Sequence, residues 1–440
     1  MPAQSAAARF LEDEARGLLT RLGKVQSFAL HETMVPAAAL TPIAQTAIEQ
    51  FLVSGRSLLR ARVHEFLTWL RGPGAQLPPA VQQRRFTLIR LGFNNVLSQF
   101  DLFTEVITQR SEHETGVWLS GLDVLASDAL DLPAFPLDAP PIICYLARGP
   151  GAAIRRVKTK LPGGGLNPVA IIRVPRERMV GYGIGSSLVH EVGHQGAAML
   201  GLVESLRPAL AERARQAGPA SPWTSWANWI SEIVADLWSV AQIGVGSTMG
   251  LIGVVSLPRL FVFRPSGNDP HPVPWIRVRL SAAVGAALYP HPQWEQLSRM
   301  WEELYPLDGL PPAQAEMMRT LDRSIPEFVQ TLLAHQPPAL RGRRLGDVMR
   351  RRDRSPDHLI ATYRTWKAKP GLLPEAKPID VFAVFGQIRA AGLVQPDHES
   401  RVLSDLLTQW ALRSSIDLSQ MCAAHAEAQR AQKRAVRLAS

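Results

Sequence analysis

Residues 190–194 read His190-Glu191-Val192-Gly193-His194, inside an apolar run from Ile184 to Leu202. A run of this kind predicts a buried helix. On a helix, positions i and i+4 share a face, so the two imidazoles stand one turn apart. Two polar rings inside a protein need partners, and one metal ion satisfies both. The HExxH spacing points to Zn²⁺, with Glu191 beside the histidines to take a proton from water that the metal activates. A zinc site uses at least three protein ligands. The fold must therefore bring a distant residue onto this helix.

The best source of that ligand is Trp229-Ile230-Ser231-Glu232-Ile233-Val234-Ala235-Asp236. Its apolar positions follow helical spacing, which puts Glu232 and Asp236 on one face. One carboxylate can bind the metal. The other can accept the second ring N–H of a ligand histidine and fix its tautomer. Glu204 is a weaker rival, because its helix would have to reverse sharply to return to the histidines. A further element follows in Asp269-Pro270-His271-Pro272-Val273-Pro274-Trp275-Ile276-Arg277. The prolines hold His271 on an extended backbone. Arg277 opens the next helical segment. Both can reach a developing oxyanion, and Tyr182 and Tyr289 are further candidates for that task.

In order, the chain thus carries HExxH, then Glu232-Ile233-Val234-Ala235-Asp236, then His271-Pro272 with Arg277 six positions beyond the histidine. This series resembles the gluzincin metallopeptidases, in particular the group of HtpX, Oma-type and CAAX-processing endopeptidases, over roughly residues 165–290. The resemblance implies a zincin-like α+β core. It also implies zinc held by His190, His194 and Glu232, Glu191 as general base, and His271 and Arg277 as aids to the transition state. In such folds the strand before the HExxH helix is commonly a sheet edge that pairs with an extended peptide, which implies a polypeptide substrate. Pro270 stands where that group usually has Thr or Ser.

At 46% hydrophobic and 20% charged residues, the 440-residue chain is globular and long enough for more than one domain. The expected fold is mainly α with a small β-sheet. A helical N-terminal region covers 1–131, a zincin-like core covers 142–300, and a helical C-terminal region covers 301–440. Helical periodicity marks 6–24, 42–71, 79–109 and 112–128, and later 293–304, 312–334, 356–368, 379–391 and 398–414. The tail, 420–440, reads as a frayed helix. Strands are expected at 142–146 and 169–174, with a turn at 161–165 between them. That glycine-rich turn lacks a following Lys-Ser/Thr, which excludes a phosphate loop.

The uncharged stretch Leu237–Pro258 contains four glycines and reads as a helix end, a turn and a second buried helix, so no stable membrane insertion is expected. Many relatives in the group it resembles are membrane-embedded. No signal peptide is visible and the two cysteines, Cys144 and Cys422, lie far apart, which favours reduced thiols and a cytoplasmic setting. The net charge is +10, and the densest basic run is Arg341–Arg354, which reads as a solvated, loop-flanked helix, with a dock for an acidic partner as the alternative. It has no interleaved aromatics, so nucleic acid is not favoured.

The expected activity is that of a zinc-dependent endopeptidase. The alternatives are an interaction or scaffold protein built on a zincin core, and an effector or toxin protease delivered by dedicated machinery.

Overall fold

The two strands read from the sequence form the spine of a small mixed sheet. The computed structural model describes residues 5–148, 151–161, 164–175, 181–218, 221–264 and 269–439, without the side chains of Tyr182 and of positions 421–423, 425, 426 and 428–439. Strand β1 (Ile142–Ala147) runs parallel to β3 (Ala170–Pro175), with Cys144 opposite Ile172. A short strand, β2 (Ala153–Arg155), lies antiparallel on the other side of β3. The order is β1-β3-β2. The strand before the HExxH helix is therefore central, not an edge as expected. The chain between β1 and β3 folds back and covers the exposed side of β3, so β2 becomes the edge. Pro162 and Gly163 of the expected turn lie outside the described residues.

Both strand faces are buried, which is why β1 and β3 read as continuous apolar runs and not as alternating ones. Ile143, Tyr145, Val169 and Ile171 face a helical layer of α1 (Ala6–Lys24), α2 (Pro42–Arg71) and α3 (Pro79–Thr108). Ile142, Cys144, Leu146, Ala170, Ile172 and Val174 face the main core. The outer edge of β1 is closed by side chains. Leu146 exchanges two 2.9 Å hydrogen bonds with the Gln109 amide, the peptide N–H of Cys144 donates to Asp123, and buried Arg110 donates to the carbonyl of Cys144. Burial pushes the Cys144 thiol well up, so it stays protonated, while Cys422 lies outside the described side chains.

The main core begins with α4 (His113–Leu130) and runs through α5 (Tyr182–Met199), α6 (Leu202–Ala217), α7 (Pro222–Ile243), α8 (Val245–Val255), α9 (Arg259–Val262) and α10 (Pro274–Leu288). It continues without a break through α11 (Gln293–Leu304), α12 (Pro312–Ala334), α13 (Leu345–Met349), α14 (Pro356–Ala368), α15 (Pro378–Ala390) and α16 (Pro396–Ala439). Phe328 of α12 stacks on Trp226 of α7 with ring centroids 4.7 Å apart. The many prolines fit this helical architecture because they stand at helix starts, as in α2, α3, α7, α10, α12, α14 and α15.

The stretch after Asp236 folds as expected. Helix α7 ends at Ile243, Gly244 turns the chain with φ of 58°, and α8 follows. Among the described residues, no helix is long and apolar enough to cross a membrane.

The basic run divides between surface and interior. Arg354 is 2% exposed. Its Nε donates to the Gln242 carbonyl at the end of α7, and its Nη2 donates to Asp380 of α15, each at 2.5 Å. Arg351 donates to the Gln242 side chain, to Asp353 and to Asp380. Gln242 in turn donates to the carbonyls of Ala129 and Asp131. These arginines tie the C-terminal region to the helix that carries Glu232, and so are not free to meet a partner. Arg354→Ala should lower stability by about 3 kcal/mol, because it leaves the Gln242 carbonyl without its arginine donor, takes one of two arginines from Asp380 and opens a cavity. Urea unfolding measures this, and a loss below about 1 kcal/mol would mean that the network adds little.

Candidate metal centre

The site depends on how closely α5 approaches α7, and small residues set that distance. Gly193, inside the HExxH, faces Ala235. A Cβ added at Gly193 would stand 2.9 Å from both Cα and O of Ala235 and 2.8 Å from Cβ of Trp238. One turn on, Gly196 lies against the Trp238 ring, leaving no room for a side chain. Trp238 is fixed by an Nε1–H bond of 2.9 Å to the Ala129 carbonyl. On the other side of α5, Ser186 packs directly on Gly250 of α8 and donates to the carbonyl of Ser247.

With the helices this close, the residues read from the sequence converge. His190, His194 and Glu232 each offer a ligand atom, all within 4.8 Å of one another. His190 Nε2 lies 3.3 Å from Glu232 Oε2, and His194 Nε2 lies 3.5 Å from Glu232 Oε1. The two rings meet edge to face, with centroids 4.9 Å apart. His271 joins from the loop before α10, its Nε2 3.2 Å from Glu232 Oε2. Asp236 stands one turn beyond Glu232, its Oδ1 2.8 Å from His190 Nδ1. Glu204 is exposed on α6 and takes no part in the group, because Gly201 turns the chain with φ of 60° and starts a new helix.

Arg277 is buried and its fork is spent on Asp236, Nε at 2.7 Å and Nη2 at 2.9 Å, with Nη2 3.6 Å from Glu232. It therefore anchors the carboxylate that orients His190. Tyr289 is committed elsewhere. Its hydroxyl donates to the Ala241 carbonyl at 2.7 Å and accepts from Arg351 N at 3.2 Å, and burial pushes its pKa up to about 12. The side chain of Tyr182 lies outside the described residues.

Asp269 was given no part in the sequence reading. Its Oδ1 accepts from the backbone N–H of His271 at 3.0 Å and contacts His271 Nδ1 at 2.6 Å. One oxygen thus fixes both the turn and the ring, leaving Nε2 toward Glu232. An Asp two positions before a loop residue is the spacing of an Asx turn, the signal that would have found it.

The charges of the group are interlocked. Burial works against a charge on His190, but Asp236 beside it lifts the pKa to about 9. Burial and then the neighbouring His190 lower His194 to about 4. Burial opposes the charge on Asp236, yet Arg277 and His190 hold it down at about 2. Glu232 is held well below the usual carboxylate range, because His190, His271 and His194 outweigh its burial. Glu191 moves the other way. It is nearly buried, and burial raises its pKa, which makes it a stronger base than an exposed carboxylate.

His190, Glu191 and Asp236 line a cleft of about 130 Å³ between α5, α7 and α8. Glu191, His271 and Arg277 reach it from the site side, and Gly151 and Ala152, just before β2, form its opposite rim. The arrangement can hold a divalent cation, with a carboxylate base and an oriented imidazole at one small opening. Comparison with protein-family models, with curated proteins and with solved structures gives no match.

Proposed function

We propose that the chain is a zinc-dependent endopeptidase of gluzincin type, resembling the HtpX, Oma-type and CAAX-processing group. The observation that carries this reading is the convergence of His190, His194 and Glu232, with His190 and Glu191 both lining the adjoining cleft. The donor set of two imidazoles and one carboxylate suits Zn²⁺. Glu232 Oε2 supports the fit, because it is buried, accepts no hydrogen bond, and is approached by imidazole nitrogens at 3.2 and 3.3 Å. Imidazole nitrogens grouped around a buried carboxylate oxygen without hydrogen-bonding it are an arrangement that a cation between them would satisfy. When bound, zinc supplies Lewis acidity to water and to the scissile carbonyl.

The remaining work falls to side chains of this protein. Glu191 accepts the proton of the attacking water and passes it to the leaving amine, a task helped by its raised pKa. Glu232 and Asp269 raise the pKa of His271 and favour its imidazolium, which gives Nδ1–H to Asp269 and turns Nε2–H inward as a donor for the carbonyl oxygen. Asp236 and Arg277 keep His190 in its orientation. The edge of β2 beside the cleft offers backbone groups to an extended polypeptide.

Purified protein should carry about one Zn²⁺ per chain, and His190→Ala or His194→Ala should lose it. Metal analysis that finds no zinc in the parent, or unchanged zinc in these variants, would remove the site. The activity is tested by comparing protein termini in cells that carry the parent chain or Glu191→Gln. New termini confined to the parent support an endopeptidase and identify its substrate. Identical termini count against one.

A further inference from the structure

A second binding surface lies in the N-terminal helical layer, away from the metal centre. Helices α2 and α3 pack as an antiparallel pair, held by Phe66 against Phe86 and by Arg85 bridging to Glu65. Between them, on the side away from their own core, runs a groove of about 430 Å³. Its size falls within the range of about 300–1,000 Å³ usual for binding pockets. Gly55 and Gly92 sit in its lining, one on each helix, and they deepen it where side chains would otherwise fill it.

The walls are apolar and exposed. Leu58, Leu88 and Leu91 border the groove and are 53%, 67% and 54% exposed. Leucines that border a groove and stay this open form a contiguous patch, which differs from singly scattered surface residues. The lining runs from Phe51 to Arg62 on α2 and from Leu88 to Gln99 on α3. At 1.5 Å per residue each side is about 17 Å long, the length of about three helical turns.

Charge selects the occupant. Seven arginines and a single acid, Glu65, stand between Val53 and Leu97. Glu65 is already bridged by Arg85, which also stacks on Trp69. Arg62 lines the groove, and Arg84 stands one turn before Leu88 on the same helix face. Neither makes an ion pair or side-chain hydrogen bond among the described residues. Both lie toward the end where α2 and α3 are joined, while the far end carries Ser54, Asn95 and Gln99. The negative end of a helix dipole favours the basic end.

We infer that this groove docks a short amphipathic polypeptide helix, about three turns long. Its leucine-type anchors enter beside Gly55 and Gly92, and its carboxylates, toward its C-terminal end, meet Arg62 and Arg84. A notch between two rims fits inserted side chains better than a flat lipid surface. The surface is independent of the peptidase reading.

The test uses the full chain and two synthetic helical peptides about 14 residues long. Both carry leucines at positions i, i+3 and i+7; one has glutamates and the other lysines in the last turn. The glutamate peptide should bind at least about tenfold tighter in calorimetry, with affinity falling as salt rises. Leu88→Asp with Leu91→Asp should abolish binding, and Arg62→Glu with Arg84→Glu should reverse the preference. These positions are exposed, so the variants should keep the parent melting temperature and zinc content. No binding of the glutamate peptide, equal binding of both peptides, or binding unchanged in the leucine variants would overturn the inference. So would co-sedimentation with phosphatidylcholine vesicles containing about 30% phosphatidylserine that the same leucine variants abolish, since the occupant would then be a lipid surface.

Discussion

Glu191→Gln should keep the zinc content and melting temperature of the parent and hydrolyse peptide bonds at least about a hundredfold more slowly. Gln preserves the shape of the side chain and its place beside the cleft. It removes the one property that the mechanism uses, a carboxylate able to accept a proton. Glu191 is buried and its pKa is raised by that burial, so replacing its charge with a neutral amide does not weaken the fold. The metal ligands His190, His194 and Glu232 are untouched. Zinc analysis, thermal unfolding and a peptide-cleavage assay separate the outcomes. Full activity in the variant overturns the proposed base. Loss of zinc shows instead that Glu191 supports the site structurally.

Gly193→Ala should weaken zinc binding at least about tenfold and lower stability by about 1–3 kcal/mol, although the added methyl touches no ligand. The new Cβ would stand 2.8–2.9 Å from Ala235 and from Cβ of Trp238. Backbone and a Cβ cannot swing aside as the end of a long side chain can, so α5 and α7 must move apart. Their spacing sets where Glu232 meets the two histidines. Gly183→Ala on the same helix is the control, since nothing lies within 4 Å of a Cβ there. That change should be neutral or slightly stabilising. A competition titration with a zinc chelator reads the affinity, and unchanged affinity in Gly193→Ala would mean that the helix spacing is not what builds the site.

Much of the secondary structure was legible because its signals are local. The expected helices at 6–24, 42–71, 293–304, 312–334 and 356–368 coincide with α1, α2, α11, α12 and α14. In several of these, apolar periodicity and a starting proline point to the same boundary. Other features carried no such signal. Strand β2 is three residues long and only partly buried, and it is a strand only because β3 lies beside it. Arg351 and Arg354 read as a solvated basic run, yet Asp380 and the end of α7 draw them inward. Tyr289 looked free for catalysis until Ala241 and Arg351 occupied its hydroxyl.

By itself the sequence determined that two histidines share a helix face, that Glu232 and Asp236 share another, and that a stiff loop with His271 follows. Each is a matter of spacing within one element, where 3.6 residues per turn decides the geometry. Only the tertiary structure decided that Glu232, and not Glu204, meets the histidines, that Arg277 serves Asp236, and that Asp269 holds His271. Those outcomes rest mainly on contacts between helices and loops far apart in the chain. One such contact, Gly193 against Ala235, exists because neither residue has more than a methyl group to separate two backbones.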